Sequence, residues 1–211
     1  MVDSRGDKLR KNIINLIGAI VLFVGILGIF NSFYFDRAYD LFWFCYLGSI
    51  LLGIGIIFRN ITLIKSQFYI LIIPDIIWSI DFLVHLIRGK SIFGIVDYFF
   101  VETRWIVKIV SLQHIYSIPL VILAVFLIGK AIKTENRALL MSFIQITFTY
   151  LATTIFTPPE ANINCAYRLC GSIVLSPNYY PLLWFAASLI MLFLTRSLVN
   201  KILQSFIKDN H

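Results

Sequence analysis

The chain has 211 residues, of which 59% are hydrophobic and 14% charged, whereas soluble domains average about 45–50% apolar and about 25% charged residues. This composition excludes a soluble domain and indicates an integral membrane protein with space for roughly six or seven helices of about 20 residues each. The formal net charge of +7 comes from Lys and Arg clustered between apolar segments, where they set orientation and touch anionic headgroups, so nucleic-acid binding is excluded.

Six apolar segments predict six membrane-spanning helices. They lie at residues 12–34, 40–58, 66–86, 105–130, 138–158 and 180–198. No internal repeat divides them, so the sequence predicts a single polytopic domain over residues 1–211, an all-α bundle of six transmembrane helices. We expect an integral location in the plasma membrane, with the lipid bilayer as the first partner. A membrane-protein partner or a homo-oligomer is the further expectation.

The distribution of basic residues indicates the orientation, because Lys and Arg are enriched in cytoplasmic loops. With the N-terminus in the cytoplasm, twelve of the 18 Lys and Arg residues fall on the cytoplasmic side and six on the outer side. The outer six are Arg37, Arg88, Lys90, Arg104, Lys108 and Arg168. The sequence therefore predicts that both termini are cytoplasmic.

The third inter-helix loop carries an apolar stripe of its own. In residues 91–105 the apolar side chains at helical spacing are Ile92, Phe93, Val96, Phe99 and Phe100. The segment is too short to span a membrane, and it contains three charged residues. It predicts an interfacial or re-entrant helix on the outer surface, with a plain connection and a lid over a site as alternatives.

Small residues predict how the first two spans pack. Gly28 and Ser32 in the first span are four residues apart, as are Ser49 and Gly53 in the second. This spacing permits two helix backbones to approach closely. The sequence therefore predicts that the first two helices form a tightly packed hairpin.

Ionisable residues inside the third and fourth spans are the main functional signal, since each costs about 2.5–3.5 kcal/mol to insert. At about 1.5 Å per residue, Asp75 lies near the middle of the membrane, Asp81 roughly 8 Å inside the outer boundary and His85 close to it. His114 enters the fourth span at a depth comparable with that of Asp81. The sequence therefore predicts that Asp81 and His114 face each other in the outer half of the bilayer.

A carboxylate beside an imidazole fixes the tautomer and orientation of the ring, which suits a general base or a metal ligand. The predicted catalytic residues are therefore Asp81 and His114, with His85 and Glu160 nearer the surface as further acid/base groups or metal ligands. The alternative is structural, since a lone intramembrane His or Asp also forms interhelical hydrogen bonds worth about 1 kcal/mol. The sequence identifies no cofactor and leaves metal binding open.

Other polar residues within the spans fit the same two interpretations. They are Asp75, Gln113, Gln145, Thr149 and Thr153. The last three are spaced four apart and so lie along one side of the fifth helix, where such a stripe most often joins helices and less often lines a pathway. The outer loop that follows holds Cys165 and Cys170, which predict a small disulfide in an oxidising exterior.

Three functions fit these residues. The first is a polar binding or catalytic site in the outer half of the bilayer, acting on a lipid-like or small hydrophobic substrate, which the outward clustering of polar residues favours. The second is a non-catalytic subunit that binds or assembles with partners through its outer loops. The third, a small proton-coupled transporter, is disfavoured because the sequence has no repeated halves and no broken helices in matching positions. No known catalytic motif selects a reaction, so the sequence does not decide whether the chain is an enzyme.

Overall fold

A computed structural model describes residues 4–129, 135–171 and 178–208, and the regular secondary structure of these residues is entirely helical. Their α-helices are α1 (Ser4–Tyr34), α2 (Phe44–Ile57), α3 (Ile61–Arg88), α4 (Asp97–Val101), α5 (Trp105–Ser111), α6 (Gln113–Ile128), α7 (Glu135–Phe156) and α8 (Tyr180–Lys208). Short 3₁₀ helices lie in the connections, at Ala38–Phe42, Pro159–Ala161 and Ile163–Cys165.

Five helical stretches within the described residues are long and apolar enough to cross a membrane. They are Arg5–Tyr34, Ile61–Arg88, Trp105–Ile128, Asn136–Phe156 and Tyr180–Lys201. These stretches agree with five of the six predicted spans. The apolar helix α2 has 14 residues and is about 21 Å long, shorter than a hydrocarbon core of about 30 Å. The helices are therefore compatible with a multi-pass membrane protein, and the sixth span stays a prediction.

The second apolar helix begins later than the sequence predicts because other groups bind the residues before it. The buried carboxylate of Asp40 forms an ion pair of 3.0 Å with Arg37 and accepts a hydrogen bond of 3.3 Å from the indole of Trp43. The backbone N–H of Phe44 donates to the side chain of Asn164 at 2.8 Å. The residues Ala38–Phe42 therefore form a 3₁₀ turn, and α2 starts only at Phe44.

The central helix of the bundle is α3, which contacts α2, α6, α7 and α8. The side chain of Asn60 caps its N-terminus by accepting a hydrogen bond of 3.1 Å from the N–H of Leu63. Gly89, with a φ of +70°, ends it in the left-handed conformation. Every residue from 64 to 72 is buried, whereas the later half of the helix exposes one face that includes Ile80. The polar residues of α3 therefore lie on its buried side.

The predicted hairpin of α1 and α2 is confirmed, and glycine permits the close approach of the two helices. A Cβ atom built on Gly53 would lie 2.5 Å from the backbone nitrogen of Leu22, and one built on Gly25 would lie 2.8 Å from that of Ile50. Real Cβ atoms do not tolerate such distances. The two helices therefore pack backbone to backbone, as the spacing of small residues predicts.

The predicted helix over residues 91–105 is wrong as one continuous element. Residues 91–96 form an irregular loop, and helix resumes only in the short α4. The later part of the apolar stripe nevertheless packs against α3, since Val96 is fully buried and Phe100 stacks on Phe82 with ring centroids 5.6 Å apart, whereas Ile92 is exposed. The helix fails to form because backbone N–H groups of this loop donate to a side chain of α3.

Candidate functional site

The side chain of Asp81, on α3, holds the loop between α3 and α4 instead of pairing with His114. Its two oxygen atoms accept hydrogen bonds of 2.7 to 3.4 Å from the backbone N–H groups of four loop residues, Ile92, Phe93, Ile95 and Val96. The side chain is fully buried, and a buried carboxylate is stable when several N–H groups satisfy it. The predicted pairing of Asp81 with His114 is therefore wrong.

The imidazole of His114 faces Asp75. Its Nε2 atom lies 4.0 Å from Oδ1 of Asp75, and the two side chains are 14% and 4% exposed. Among the residues that the structure describes, none forms a hydrogen bond to the Asp75 carboxylate. Asp75 lies halfway along α3, directly after Pro74, whose missing N–H weakens the helix at this point. Asp75 of α3 and His114 of α6 therefore form a pair of ionisable residues within the described part of the bundle.

The hydrogen bond on the other side of the ring defines where His114 carries its proton. Nδ1 lies 2.7 Å from the carbonyl oxygen of Ser111, and a carbonyl oxygen only accepts, so Nδ1 donates. In the neutral ring, Nε2 then carries the lone pair that faces Asp75. A protonated carboxyl can meet this lone pair, and an ionised carboxylate can meet a protonated imidazole. In both of these states the pair holds one titratable proton and carries no net charge.

Trp78 covers the pair on the side of α4. Its indole stacks on the imidazole of His114 with ring centroids 4.9 Å apart, and its Nε1–H donates to the hydroxyl of Tyr98 at 3.2 Å. The Tyr98 hydroxyl in turn donates to the hydroxyl of Ser111 at 2.9 Å. From α3, the hydroxyl of Ser79 donates to the backbone carbonyl of His114 at 2.9 Å. Residues of α3, α4 and α5 thus hold His114 in position.

His85 and Glu160 make contacts of their own in the structure. His85 stacks on Phe100 with ring centroids 3.6 Å apart, and its Nδ1 lies 3.5 Å from Oδ1 of Asp97, whose side chain is 56% exposed. Glu160 is exposed in the connection after α7, where its backbone carbonyl accepts a hydrogen bond of 3.4 Å from Arg168. These two predicted residues therefore belong to the surface of the bundle.

Among the remaining predicted polar residues, Gln113 and Gln145 join helices. Gln113 of α6 accepts a hydrogen bond of 2.7 Å from Ser49 of α2. Gln67 of α3 donates to Gln145 of α7 at 2.8 Å. The two threonines of the α7 stripe, at positions 149 and 153, are fully buried, and their hydroxyl groups have no hydrogen-bond partner among the described residues. Within the stripe, Gln145 therefore agrees with a helix-joining role, whereas the hydroxyl groups of Thr149 and Thr153 do not bond to another helix.

A disulfide closes the connection after α7, here named the disulfide loop (residues 157–171). The Cα atoms of Cys165 and Cys170 are 5.2 Å apart, and the bond between their sulfur atoms is formed. Asn162, which precedes the ring, stabilises it, since its Oδ1 accepts hydrogen bonds of 3.0 Å from the backbone N–H groups of Tyr167 and Arg168. The two cysteines therefore pair as their spacing predicts.

Asn164 and Tyr167 fasten the disulfide loop to three helices. The side chain of Asn164 donates to the carbonyl of Phe42 at 2.7 Å, and its backbone carbonyl accepts from the indole of Trp184 at 2.8 Å. The hydroxyl of Tyr167 lies 3.2 to 3.3 Å from three carbonyl oxygens at the end of α7. The loop is thus attached to the start of α2, the end of α7 and the start of α8.

Trp78, Tyr98 and Asn164 are the structural contributors that sequence reasoning missed. Trp78 lies three residues after Asp75, and this spacing puts the two side chains on one face of α3. That spacing was the available signal for Trp78. Tyr98 and Asn164 act through contacts between distant parts of the chain, for which the sequence contains no local signal.

Within the described ranges, no three His, Cys, Asp or Glu side chains come together in a group that could hold a metal ion. No protein-family model, no curated protein and no solved structure matches this chain. The Asp75–His114 pair and the residues that surround it are therefore the features of the chain from which a function can be inferred.

Proposed function

We propose that the chain is a six-span integral membrane protein of the plasma membrane, with both termini in the cytoplasm, that binds a lipid-like or small hydrophobic molecule at Asp75 and His114. In this proposal the bound molecule carries a hydroxyl group and exchanges a proton with the pair. The site then serves binding or general acid–base catalysis within the membrane. Its carboxylate is Asp75, because the α3–α4 loop occupies the oxygens of Asp81.

One observation carries the proposal: the buried carboxylate of Asp75 and the half-buried imidazole of His114 lie 4.0 Å apart with no hydrogen bond between them. A pair that only joins helices gains most when its atoms approach to about 2.7–3.2 Å. At the longer distance the two groups do not bond to each other, and an oxygen atom about 2.8 Å from each can bridge them. The hydroxyl group of a bound molecule can both accept and donate, so it satisfies both groups at once.

The depth of the pair favours a molecule that dissolves in the bilayer. Asp75 lies at the middle of Ile61–Arg88, so in a membrane-spanning α3 it is about 20 Å from either end. Toward α4, the indole of Trp78 and its bond to Tyr98 cover the imidazole. Next to Asp75, the side chain of Ile76 is exposed on the apolar face of the same helix. An apolar molecule can approach from the bilayer, whereas a water-soluble one must pass the Trp78–Tyr98 bond.

Proton transfer is the chemistry that this pair supports. When the carboxyl group of Asp75 is protonated, Nε2 of His114 is a free base that can accept the proton of a bound hydroxyl. When the imidazole is protonated instead, the Asp75 carboxylate stabilises the charged ring. The same two residues can therefore take a proton from a bound molecule or return one to it.

Photo-crosslinking tests the proposal. The purified protein in phosphatidylcholine nanodiscs is irradiated with a diazirine-bearing long-chain alcohol, and labelled peptides are identified by mass spectrometry. We expect labelling of the α3 and α6 peptides that contain Asp75 and His114. Asp75→Asn and His114→Gln should each reduce this labelling about fivefold, the effect of losing one hydrogen bond of about 1 kcal/mol.

The matched control is Gln145→Leu, which removes a half-buried polar side chain of α7 outside the pair. Labelling at Asp75 and His114 should be unchanged in this variant. Equal labelling in all four proteins, confined to the exposed faces of the helices, would show that the pair binds no such molecule.

A non-catalytic subunit that binds protein partners is the second candidate, and the fastening of the disulfide loop favours it. Asn164 and Tyr167 attach this loop to three helices, so its exposed residues form a surface of fixed shape. This alternative predicts that the alcohol labels only the exposed face of α3 and that Asp75→Asn does not change this labelling. It also predicts that a photoreactive amino acid introduced at the exposed Glu160 captures a second chain in the membrane.

A further inference from the structure

Tyr98 connects the surface of the protein to His114. Its side chain is 41% exposed, yet its hydroxyl points inward and makes two hydrogen bonds. The hydroxyl accepts from Nε1 of Trp78 at 3.2 Å and donates to the hydroxyl of Ser111 at 2.9 Å. One phenol group on α4 therefore joins a residue of α3 to a residue of α5.

Both partners of Tyr98 also hold the imidazole of His114. Trp78 stacks on the ring with centroids 4.9 Å apart and planes inclined by 20°. The backbone carbonyl of Ser111 accepts the hydrogen bond of 2.7 Å from Nδ1. Stacking fixes the plane of the ring, and the carbonyl fixes which nitrogen carries the proton. A displacement of Tyr98 therefore disturbs both of the contacts that orient His114.

We infer that Tyr98 is a positioning residue for His114, holding Nδ1 against Ser111 so that Nε2 faces Asp75. The inference deepens the proposed function and rests on it for its biological meaning. It assigns to α4 a structural link between the surface of the protein and the acid–base pair in the bundle. Tyr98 touches neither Asp75 nor a bound molecule in this assignment.

The neighbouring loop cannot perform this task, because its backbone is bonded elsewhere. Residues 92, 93, 95 and 96 donate their N–H groups to Asp81. Phe99 packs edge-on against Trp78 with ring centroids 6.1 Å apart, but it has no polar atom with which to reach α5. Tyr98 is therefore the residue of α4 through which hydrogen bonds reach both sides of His114.

Nitrogen NMR of the full-length protein in nanodiscs tests the inference without any assay of activity. The chain has three His residues, and the His114 signals are assigned by their loss in His114→Gln. In the unmodified protein we expect one dominant tautomer with the proton on Nδ1. Tyr98→Phe removes the hydroxyl, and we expect about a fivefold rise in the proportion of the other tautomer, the effect of one hydrogen bond.

A second variant and a control keep the test decisive. Ser111→Ala removes the hydroxyl that accepts from Tyr98 but keeps the carbonyl that binds His114, so it should reproduce the effect even if Tyr98→Phe fails to fold. Tyr116→Phe makes the same chemical change in α6, where the structure gives the Tyr116 hydroxyl no hydrogen bond to any described residue, and should leave the His114 signals unchanged. Unaltered His114 signals in both Tyr98→Phe and Ser111→Ala overturn the inference.

Failure of this inference and failure of the proposed function give different results. If Tyr98→Phe shifts the tautomers but the long-chain alcohol never labels Asp75, the positioning role stands and the proposed function falls. If the alcohol labels Asp75 while Tyr98→Phe and Ser111→Ala leave the tautomers unchanged, the proposed function stands and the positioning role falls.

Discussion

The carboxylate of Asp81 accepts a hydrogen bond of 2.7 Å from the backbone N–H of Ile92, across 11 positions of the chain. This bond and three others from the same loop gather the backbone around one buried side chain. Buried N–H groups need acceptors, and a charged acceptor forms the stronger bond. The shape of the loop between α3 and α4 therefore depends on the charge of Asp81.

Replacing Asp81 with Asn should open this loop, because one of the two acceptor oxygens becomes an NH₂ group that faces N–H groups. We expect a loss of about 2–4 kcal/mol in stability, since these are hydrogen bonds to a charged group. Hydrogen exchange of the amides at 92–96 and thermal unfolding in detergent measure the effect. The control is Glu160→Gln, which makes the same chemical change at an exposed carboxylate outside this loop and should change little. If the loop amides remain protected in Asp81→Asn, the Asp81 carboxylate does not hold the loop.

Much of the fold was predictable from hydrophobic length alone. Five of the predicted spans coincide with helices long and apolar enough to cross a membrane, because such stretches need no information about their neighbours. The start of α2 was not predictable, since the side chain of Asn164, 120 positions away, binds the N–H of Phe44. The irregular loop at 91–96 was not predictable for the same reason, because its N–H groups donate hydrogen bonds to a side chain on α3.

The candidate site was predictable as a cluster but not as a pair. Asp75 and Asp81 are six residues apart, so they point about 120° from each other around the helix and cannot both face α6. The depth of Asp81 in the membrane favoured it as the partner of His114. The direction in which each side chain points around the axis of α3 decides which carboxylate faces α6. Ser79 shares the face of Asp75, and its hydroxyl binds the carbonyl of His114. That polar neighbour on the same face was the sequence signal for Asp75.

The disulfide between Cys165 and Cys170 should stabilise the loop by about 2 kcal/mol, the chain-entropy value for so short a ring. Mass spectrometry of protein purified without reductant should find the loop peptide two hydrogens lighter than its dithiol form. Cys170→Ser should lower the unfolding temperature, whereas Cys45→Ala, which changes the free cysteine, should leave the loop intact. Alkylation of both loop thiols without prior reduction would show that the bond is absent.

The carboxylate of Glu102 should titrate at unusually low pH. Side-chain hydrogen bonds from Arg104 are the main cause, and they lower the pKa of Glu102 from 4.5 to about 2. Because the folded-state pKa is the lower one, this contact stabilises the fold above pH 4.5 and its contribution disappears as the pH falls toward about 2. Carbon NMR of the Glu102 carboxyl measures the titration. Arg104→Gln should raise the pKa, and Arg88→Gln, which changes a different basic residue, should not.

Gly53→Ala should separate the α1–α2 hairpin. The added Cβ would lie 2.5 Å from the nitrogen and 2.7 Å from the Cα of Leu22, which are backbone atoms and cannot rotate away. We expect a loss of about 1–3 kcal/mol, the usual cost of overpacking, measured by thermal unfolding in detergent. Gly55→Ala is the comparison, because its Cβ would first meet a side-chain atom of Ile64 at 3.1 Å. If Gly55→Ala were the more damaging change, the backbone contact would not be the limiting one.

Three connections should lie on one side of the membrane, since contacts join them at one end of the bundle. Asn164 of the disulfide loop binds Phe44, at the end of the α1–α2 connection. Gly171 of the same loop packs so closely against the carbonyl of Phe93, in the α3–α4 loop, that a Cβ atom would collide with it. The basic count of twelve against six predicts that this shared end is the outer one.

Reporter fusions should therefore divide into two sets. Fusions after Lys90 and Arg168 should report the exterior, and fusions after Asn60, Thr134 and His211 should report the cytoplasm, because an even number of crossings returns the chain to its starting side. A reversal of every reporter would invert the orientation and leave the bundle intact, whereas opposite results at Lys90 and Arg168 would contradict the contact between Phe93 and Gly171. A cytoplasmic result at Arg168 would also put the disulfide in a reducing compartment, where such bonds rarely persist. The outer placement of Arg168 is therefore the result on which the orientation and the disulfide both depend.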